Sequence, residues 1–274
     1  MSSGKSKNLK TTDRENADRE SPDSHAKGSP TPVASAAFTL SQLQRFHRAY
    51  LRYTPAMPML ARFLDPATVS LKICGITTRD DADRLVALAV DALGVNFWPR
   101  SKRYLSPHDA SWLHDLAGRI LRVGVFVNEP AELPLRLVRD GLLDVVQLHG
   151  DETPEDAAVY RNAGVPFIKA FGVKSLEDLE NAVAYGADAV LLDAPAPGVY
   201  GGTGVTFDWN AAIAFKSRQP QLPLVLAGGI VPENAMLAAT MVCPAALDVA
   251  SGAELSPGHK DFTKVTALLA ALRP

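Results

Sequence analysis

Residues 68–88, TVSLKICGITTRDDADRLVAL, decide how this chain is read. The β-branched and leucine-bearing run from Thr68 to Ile73 has the composition of a buried strand. The segment from Thr78 to Leu88 has helical spacing, with Asp80 and Asp81 in its first turn. Between them stands Cys74-Gly75, a thiol and a turn residue delivered to the carboxyl end of the strand. In α/β proteins that end of the sheet carries the chemistry, on the loops that follow the strands. A thiol there is placed to act; a buried structural cysteine is the alternative reading.

The same strand-then-helix unit recurs along the chain. Further strand-like runs lie at 92–97, 120–127, 144–148, 167–171, 189–192, 222–227 and 246–249. Helical stretches separate or follow them at 107–116, 130–139, 154–162, 176–185, 209–215, 232–240 and 260–272. Several helices open on Pro or on a capping residue such as Ser106, Thr153 or Ser175. Eight such pairs in about 200 residues predict a parallel sheet closed as a (β/α)8 TIM barrel. An open doubly wound sheet is the competing architecture. It would carry a dinucleotide-binding glycine fingerprint after its first strand, and Cys74-Gly75-Ile76-Thr77-Thr78 is not one.

Composition sets the remaining bounds. The 274 residues are 47% hydrophobic and 21% charged with net charge −2, the balance of an ordinary globular domain. No basic stripe interleaved with aromatics points to nucleic acid, and no run of ~18 apolar residues points to a membrane. The two cysteines, Cys74 and Cys243, imply neither a disulfide framework nor a metal cluster, which fits a reducing cytoplasm.

Residues 1–30 are polar and charged with almost no large apolar side chain, so disorder is expected. Asp13, Glu15, Asp18, Glu20 and Asp23 sit badly with a transit peptide, and no apolar core of a secretory signal follows. Phe38, Leu40, Leu43, Phe46, Tyr50 and Leu51 recur at helical spacing, compatible with a short helix near 38–52. The preferred reading is a leader or an overextended translation start, with Met57 or Met59 nearer the functional beginning. The expected division is therefore an N-terminal extension over 1–66, largely disordered or partly helical, and a catalytic barrel over 67–274.

The strand ends gather reactive and flexible residues. They carry Cys74-Gly75, then 99–103 with Arg103, Asn128, His149-Gly150-Asp151, Asp193, Gly228-Gly229 and Ser251-Gly252. A carboxylate such as Asp193 at the lip of a dry barrel suits an acid that donates near neutral pH, although turn capping is an alternative. Glycines after strands seven and eight let backbone amides approach an anion closely, so Gly228, Gly229, Ser251 and Gly252 are candidates for a phosphate. Gly201-Gly202-Thr203-Gly204 sits in a longer loop expected to cover the substrate.

These motifs, taken in order, resemble the phosphoribosylanthranilate isomerase family. The resemblance runs through residues 72–77, 91–94, 100–104, 123–128, 146–152, 191–193, 201–204 with 207–209, 226–230 and 248–254. It covers the chain from Leu71 to the C-terminal helix and omits the first sixty-odd residues. It implies an aldose-ketose isomerase of tryptophan biosynthesis. The reaction would be the Amadori rearrangement of N-(5-phosphoribosyl)anthranilate to 1-(2-carboxyphenylamino)-1-deoxyribulose 5-phosphate. Carried over by motif, Asp193 is the general acid that opens the ribose ring and Cys74 the general base that removes the proton from C2′. Arg103 would pair with the anthranilate carboxylate. Gly202, Gly228, Gly229, Ser251 and Gly252 would bind substrate, mainly through its phosphate. His149 is expected to shape the pocket, Asp208 to cap the helix at Trp209, and Asp248 to orient the phosphate loop from behind. No metal or organic cofactor, nucleic acid or membrane partner is implied, and the chain would be a monomer or a homodimer.

Three positions depart from the family's usual pattern: Ala250 stands where Ser is common, Lys102 where Pro is, and Asn96 where an apolar residue is. Other functions compete. Another isomerase or epimerase acting on a sugar phosphate would share the barrel and the phosphate loops but would not predict the Cys74 and Asp193 pair with Arg103. The sister isomerase of histidine biosynthesis uses two aspartates, which Cys74 disfavours. A non-catalytic phosphate-binding barrel would have no use for both an acid and a base.

Overall fold

The computed structural model describes residues 56–172, 179, 181–193 and 209–273. The disorder expected over 1–30, the helix near 38–52, the Gly201–Gly204 cover and the cap expected at Asp208 fall outside the described residues, as do 176–178 and 180 of the helix expected over 176–185, whose last turn, Ala182–Tyr185, is 3-10.

Eight parallel strands close into a barrel in sequence order. They are β1 (Ser70–Cys74), β2 (Ala92–Asn96), β3 (Leu121–Phe126), β4 (Val145–Leu148), β5 (Phe167–Gly172), β6 (Ala189–Asp193), β7 (Leu224–Leu226) and β8 (Ala246–Val249). Each strand begins and ends within two residues of its expected limits. Pairing of β1 with β8, which sets Lys72 beside Asp248, closes the ring. Alternation then divides the side chains. Leu71, Ile73, Leu93 and Val146 point outward beneath the helices, while Ala92, Leu121, Val123, Val145, Ile168, Leu191 and Val225 fill the barrel interior.

The helical layer begins with α1 (Ala56–Phe63) and α2 (Arg79–Ala87), the latter capped by Thr78, whose side chain accepts from Asp81 N. It continues with α3 (Glu132–Arg139), α4 (Pro154–Ala163), α5 (Trp209–Arg218), α6 (Pro232–Val242) and α7 (Phe262–Leu272). Thr153 and Asp156 form a reciprocal capping box at the start of α4. The helix expected over 107–116 is instead two successive 3-10 turns, Pro107–Asp109 and Ser111–Leu116. Ser106 accepts from His108 N, and Ala110 takes φ −90°, ψ 3° between the turns, a bridge conformation that interrupts an α-helical ladder. After β8 the chain forms a small antiparallel hairpin, β9 (Glu254–Ser256) and β10 (His259–Lys260), before α7.

Residues 56–63 lie within the segment assigned to the extension, yet they are folded. Leu60 and Phe63, one turn apart on α1, are 4% and 1% exposed and join the interior cluster with Leu121, Val123 and Val145. The helix therefore plugs the floor of the barrel. Asp65-Pro66 follows it, where proline disfavours helical backbone at the preceding residue. Truncating a fully buried phenylalanine costs about 3–5 kcal/mol, so Phe63→Ala is expected to lower the melting temperature by roughly 6–20 °C. Because the floor is remote from the strand ends that carry the chemistry, kcat should hold; an unchanged melting temperature would show that α1 contributes nothing to the fold.

Candidate active site

β1 sets the site. Ser70, Lys72 and Cys74 alternate onto one face, and the space they need is supplied by Gly94 on the neighbouring β2. A β-carbon at Gly94 would lie 2.7 Å from Cys74 Sγ and 3.1 Å from Lys72 Nζ. Thiol and ammonium thus flank one small volume that any larger residue would occupy.

Lys72 is fully buried beside Cys74 and is held from two further strands. Its Nζ donates to Asp248 Oδ2 at 2.8 Å and to Gln147 Oε1 at 3.0 Å. Burial alone would lower the pKa of the lysine, but the Asp248 carboxylate holds it above the ordinary range, so Lys72 is a fixed cation. The Cys74 thiol moves the other way: desolvation pushes it up, and the nearby Lys72 and Lys260 ammonium groups only partly offset that. In the free protein the thiol is therefore neutral near pH 7. Asp248, expected to brace the phosphate loop, is tied to β1 through Lys72, and among the described residues its Oδ1 is buried without a partner.

Gln147, on β4, also reaches His149, with its Nε2 at 2.9 Å from the ring Nδ1. His149 Nε2 in turn faces Asp193 Oδ2 at 3.6 Å. Asp193 closes β6 and is 6% exposed. Glu152 fastens the loop behind His149, accepting from the backbone N–H groups of Asn128 and Gly150 and from Lys169.

Arg103 crosses the rim after β2. Gly75, at φ +80°, lies so close beneath it that a β-carbon would fall 2.3 Å from Arg103 Cδ. Its Nε and Nη2 donate to the two carboxylate oxygens of Glu254 at 2.8 and 2.6 Å. Lys260 donates to the same carboxylate and to the Cys74 carbonyl, at 2.7 and 2.5 Å. Burial would raise the Glu254 carboxyl, but Arg103 and Lys260 hold it below the ordinary range. The β9–β10 hairpin thereby ties the arginine to the loop that carries the thiol.

The loops after β7 and β8 meet. Gly228 and Gly229 take φ 84° and 67°, and Gly252 approaches so tightly that a β-carbon would sit 1.9 Å from Ile230 O. Asn234 braces the turn, accepting from Val231 N and donating to Gly229 O. Asn96 accepts from Trp98 N and shapes the turn after β2.

The structure therefore brings Cys74, Asp193, Arg103, Gly228, Gly229, Ser251 and Gly252 to the carboxyl-terminal rim. Gly202 is outside the described residues. Sequence reasoning gave no role to Lys72, Gln147 or Lys260. The signal available for Lys72 and Gln147 was strand alternation, which puts polar side chains on the inner face of strands that are otherwise apolar.

Comparison with known proteins identifies the lineage. The family model for N-(5′-phosphoribosyl)anthranilate (PRA) isomerase matches residues 71–271. The chain belongs to this isomerase family. The family's member from Citrifermentans bemidjiense is 43% identical over 201 residues, covering 73% of this chain and 95% of the relative. That from Thermotoga maritima is 43% identical over 198 residues, with 72% and 95% covered. The crystal structure of phosphoribosylanthranilate isomerase from Thermotoga maritima superposes with TM-score 0.67 at 40% identity, covering 75% of this chain and 99% of that one. Another solved isomerase, TM-score 0.65 and 38% identical over 75% of this chain and 99% of its own, is a complex with reduced 1-(o-carboxyphenylamino)-1-deoxyribulose 5-phosphate. The family match begins at β1, so the floor helix α1 lies upstream of it.

Proposed function

We propose that the rim of this barrel catalyses the Amadori rearrangement with Asp193 as general acid and Cys74 as general base. The protein is a phosphoribosylanthranilate isomerase of tryptophan biosynthesis, and the family match over 71–271 carries that assignment. The division of labour rests on the placement of the two groups at the ends of β1 and β6.

Asp193 gives its proton to the ribose ring oxygen, and the ring opens to an iminium. Cys74 then takes the proton from C2′, leaving an enolamine that tautomerises to the ketone. The buried thiol is a poor base in the free protein, and the adjacent iminium cation favours the thiolate when it is needed. Substrate and product are isomers, so the reaction calls for no oxidant, reductant or transferred group.

The substrate's anthranilate carboxylate pairs with Arg103. Glu254 occupies the Nε–Nη2 edge, so the carboxylate takes the Nη1 side of the planar guanidinium. The phosphate rests on Gly228, Gly229, Ser251 and Gly252, and Gly202, outside the described residues, is the remaining candidate for substrate binding. Asp248 Oδ1, a buried acceptor, suits a ribose hydroxyl. The relative crystallised with the reduced product supports a ligand of this class. Among the described residues no helix is long and apolar enough to cross a membrane, in keeping with a cytoplasmic enzyme. An isolated barrel fits either a monomer or a homodimer, and a Thermotoga maritima relative is described as dimeric.

The direct test is optical. Purified protein mixed with freshly made phosphoribosylanthranilate is expected to quench the substrate's anthranilate fluorescence catalytically. A folded protein that binds the substrate without turnover would be a phosphate-binding barrel instead.

A further inference from the structure

A chain of polar side chains crosses the barrel interior from β8 to β6. It runs Asp248, Lys72, Gln147, His149, Asp193, through separations of 2.8, 3.0, 2.9 and 3.6 Å. Its direction is fixed by chemistry. A lysine ammonium has three donors and no acceptor, so the Gln147 atom facing Lys72 is the amide oxygen. The NH2 group is then the one facing His149, and the nitrogen that meets it, Nδ1, must be an acceptor. The proton of the neutral imidazole is therefore on Nε2, the nitrogen that faces Asp193.

We propose that Gln147 is a positioning residue that, anchored by the buried Lys72, fixes His149 as the neutral Nε2–H tautomer and so orients Asp193 for proton donation. The inference rests on the reading of Asp193 as the general acid. A neutral N–H donor suits that task. It turns Asp193 by binding one oxygen and steadies the carboxylate left after the proton departs, whereas an imidazolium would hold Asp193 ionised beforehand. The 3.6 Å gap is longer than a hydrogen bond and within a small side-chain rotation of one. Burial supports the arrangement: Lys72 and Gln147 are 0% and 1% exposed, so water competes poorly for their partners.

Gln147→Glu tests the direction. It has the same shape and keeps the bond to Lys72, but a carboxylate only accepts, so His149 must then place a proton on Nδ1. In protein labelled with 15N-histidine, with the His149 signals assigned through His149→Gln, the wild type at neutral pH is expected to show Nε2 protonated and Nδ1 bare. In Gln147→Glu the Nδ1 resonance should move to the protonated position. The same variant should lose kcat by about tenfold or more with a smaller change in KM. A wild-type His149 protonated on Nδ1 overturns the proposal whether or not the variant folds, as does a folded Gln147→Glu with unchanged kcat. The tautomer is read without turnover. Its failure is therefore distinct from failure of the acid assignment, which Asp193→Asn tests separately.

Discussion

Cys74→Ser is expected to lower kcat by at least ~10²-fold while KM changes far less. The hydroxyl fits the volume over Gly94 that the thiol occupies, so binding survives and what is lost is basicity at the C2′ proton. The pH dependence follows from the thiol's surroundings. Lys72 on its own strand, Lys260 on β10 and Arg103 after β2 favour the thiolate, Asp248 on β8 opposes it, and desolvation outweighs them all. A thiol whose pKa is raised is protonated below its titration point and ionises only as pH climbs through it. The wild-type kcat/KM, which reports the free enzyme, should therefore rise into the alkaline range beyond the ordinary thiol value of ~8.5. Cys74→Ser should lose the thiol's titration, its much smaller residual rate following hydroxide with no plateau. Alkylation makes the same point without substrate: in a Cys243→Ser background, the rate of Cys74 modification by iodoacetamide should keep increasing above pH ~8.5. Near-wild-type turnover in the serine variant removes Cys74 from the reaction. Because the thiol acts as a base, no covalent enzyme–substrate species should form, and trapping one would overturn the mechanism.

What the sequence made legible was whatever alternation and turn chemistry record locally. All eight strands and the rim positions of Cys74, Arg103, Asp193 and the two glycine loops could be read, because a strand's end is marked by its own residues. Three kinds of feature could not. The 3-10 turns at 107–116 have helix-forming composition, and the Ser106 hydroxyl redirects the backbone at a single N–H. The floor helix shows only Leu60 and Phe63 as anchors, and the cluster they join is built from strands that follow much later in sequence, such as β3 and β4. The polar chain is the clearest case: Lys72 meets partners 75 and 176 residues away. Ring closure between β1 and β8 sets that meeting, and no local pattern encodes it. Asp248 shows the consequence, since its place in a phosphate-loop motif pointed outward while its carboxylate turned to the lysine within.

Asp193→Asn should match the cysteine variant in size, lowering kcat at least ~10²-fold with little change in KM. The amide preserves shape and still accepts from His149 Nε2, but it has no acidic proton to give. Sub-unit changes in melting temperature would confirm that only the chemistry was removed. What separates the two variants is the sign of their residual pH slopes, measured after subtraction of the enzyme-free rate. Without Asp193 the ring oxygen must be protonated by solvent acid, so the residual rate should climb as pH falls. Without Cys74 the C2′ proton must leave to solvent base, so the residual rate should climb as pH rises. Opposed slopes would assign acid to β6 and base to β1 independently of their absolute rates. Parallel slopes would mean that one of the two residues does not transfer the proton assigned to it. Near-wild-type turnover of Asp193→Asn would leave the polar chain from Lys72 through His149 ending at a residue with no chemical task, and the acid would have to be sought elsewhere on the rim.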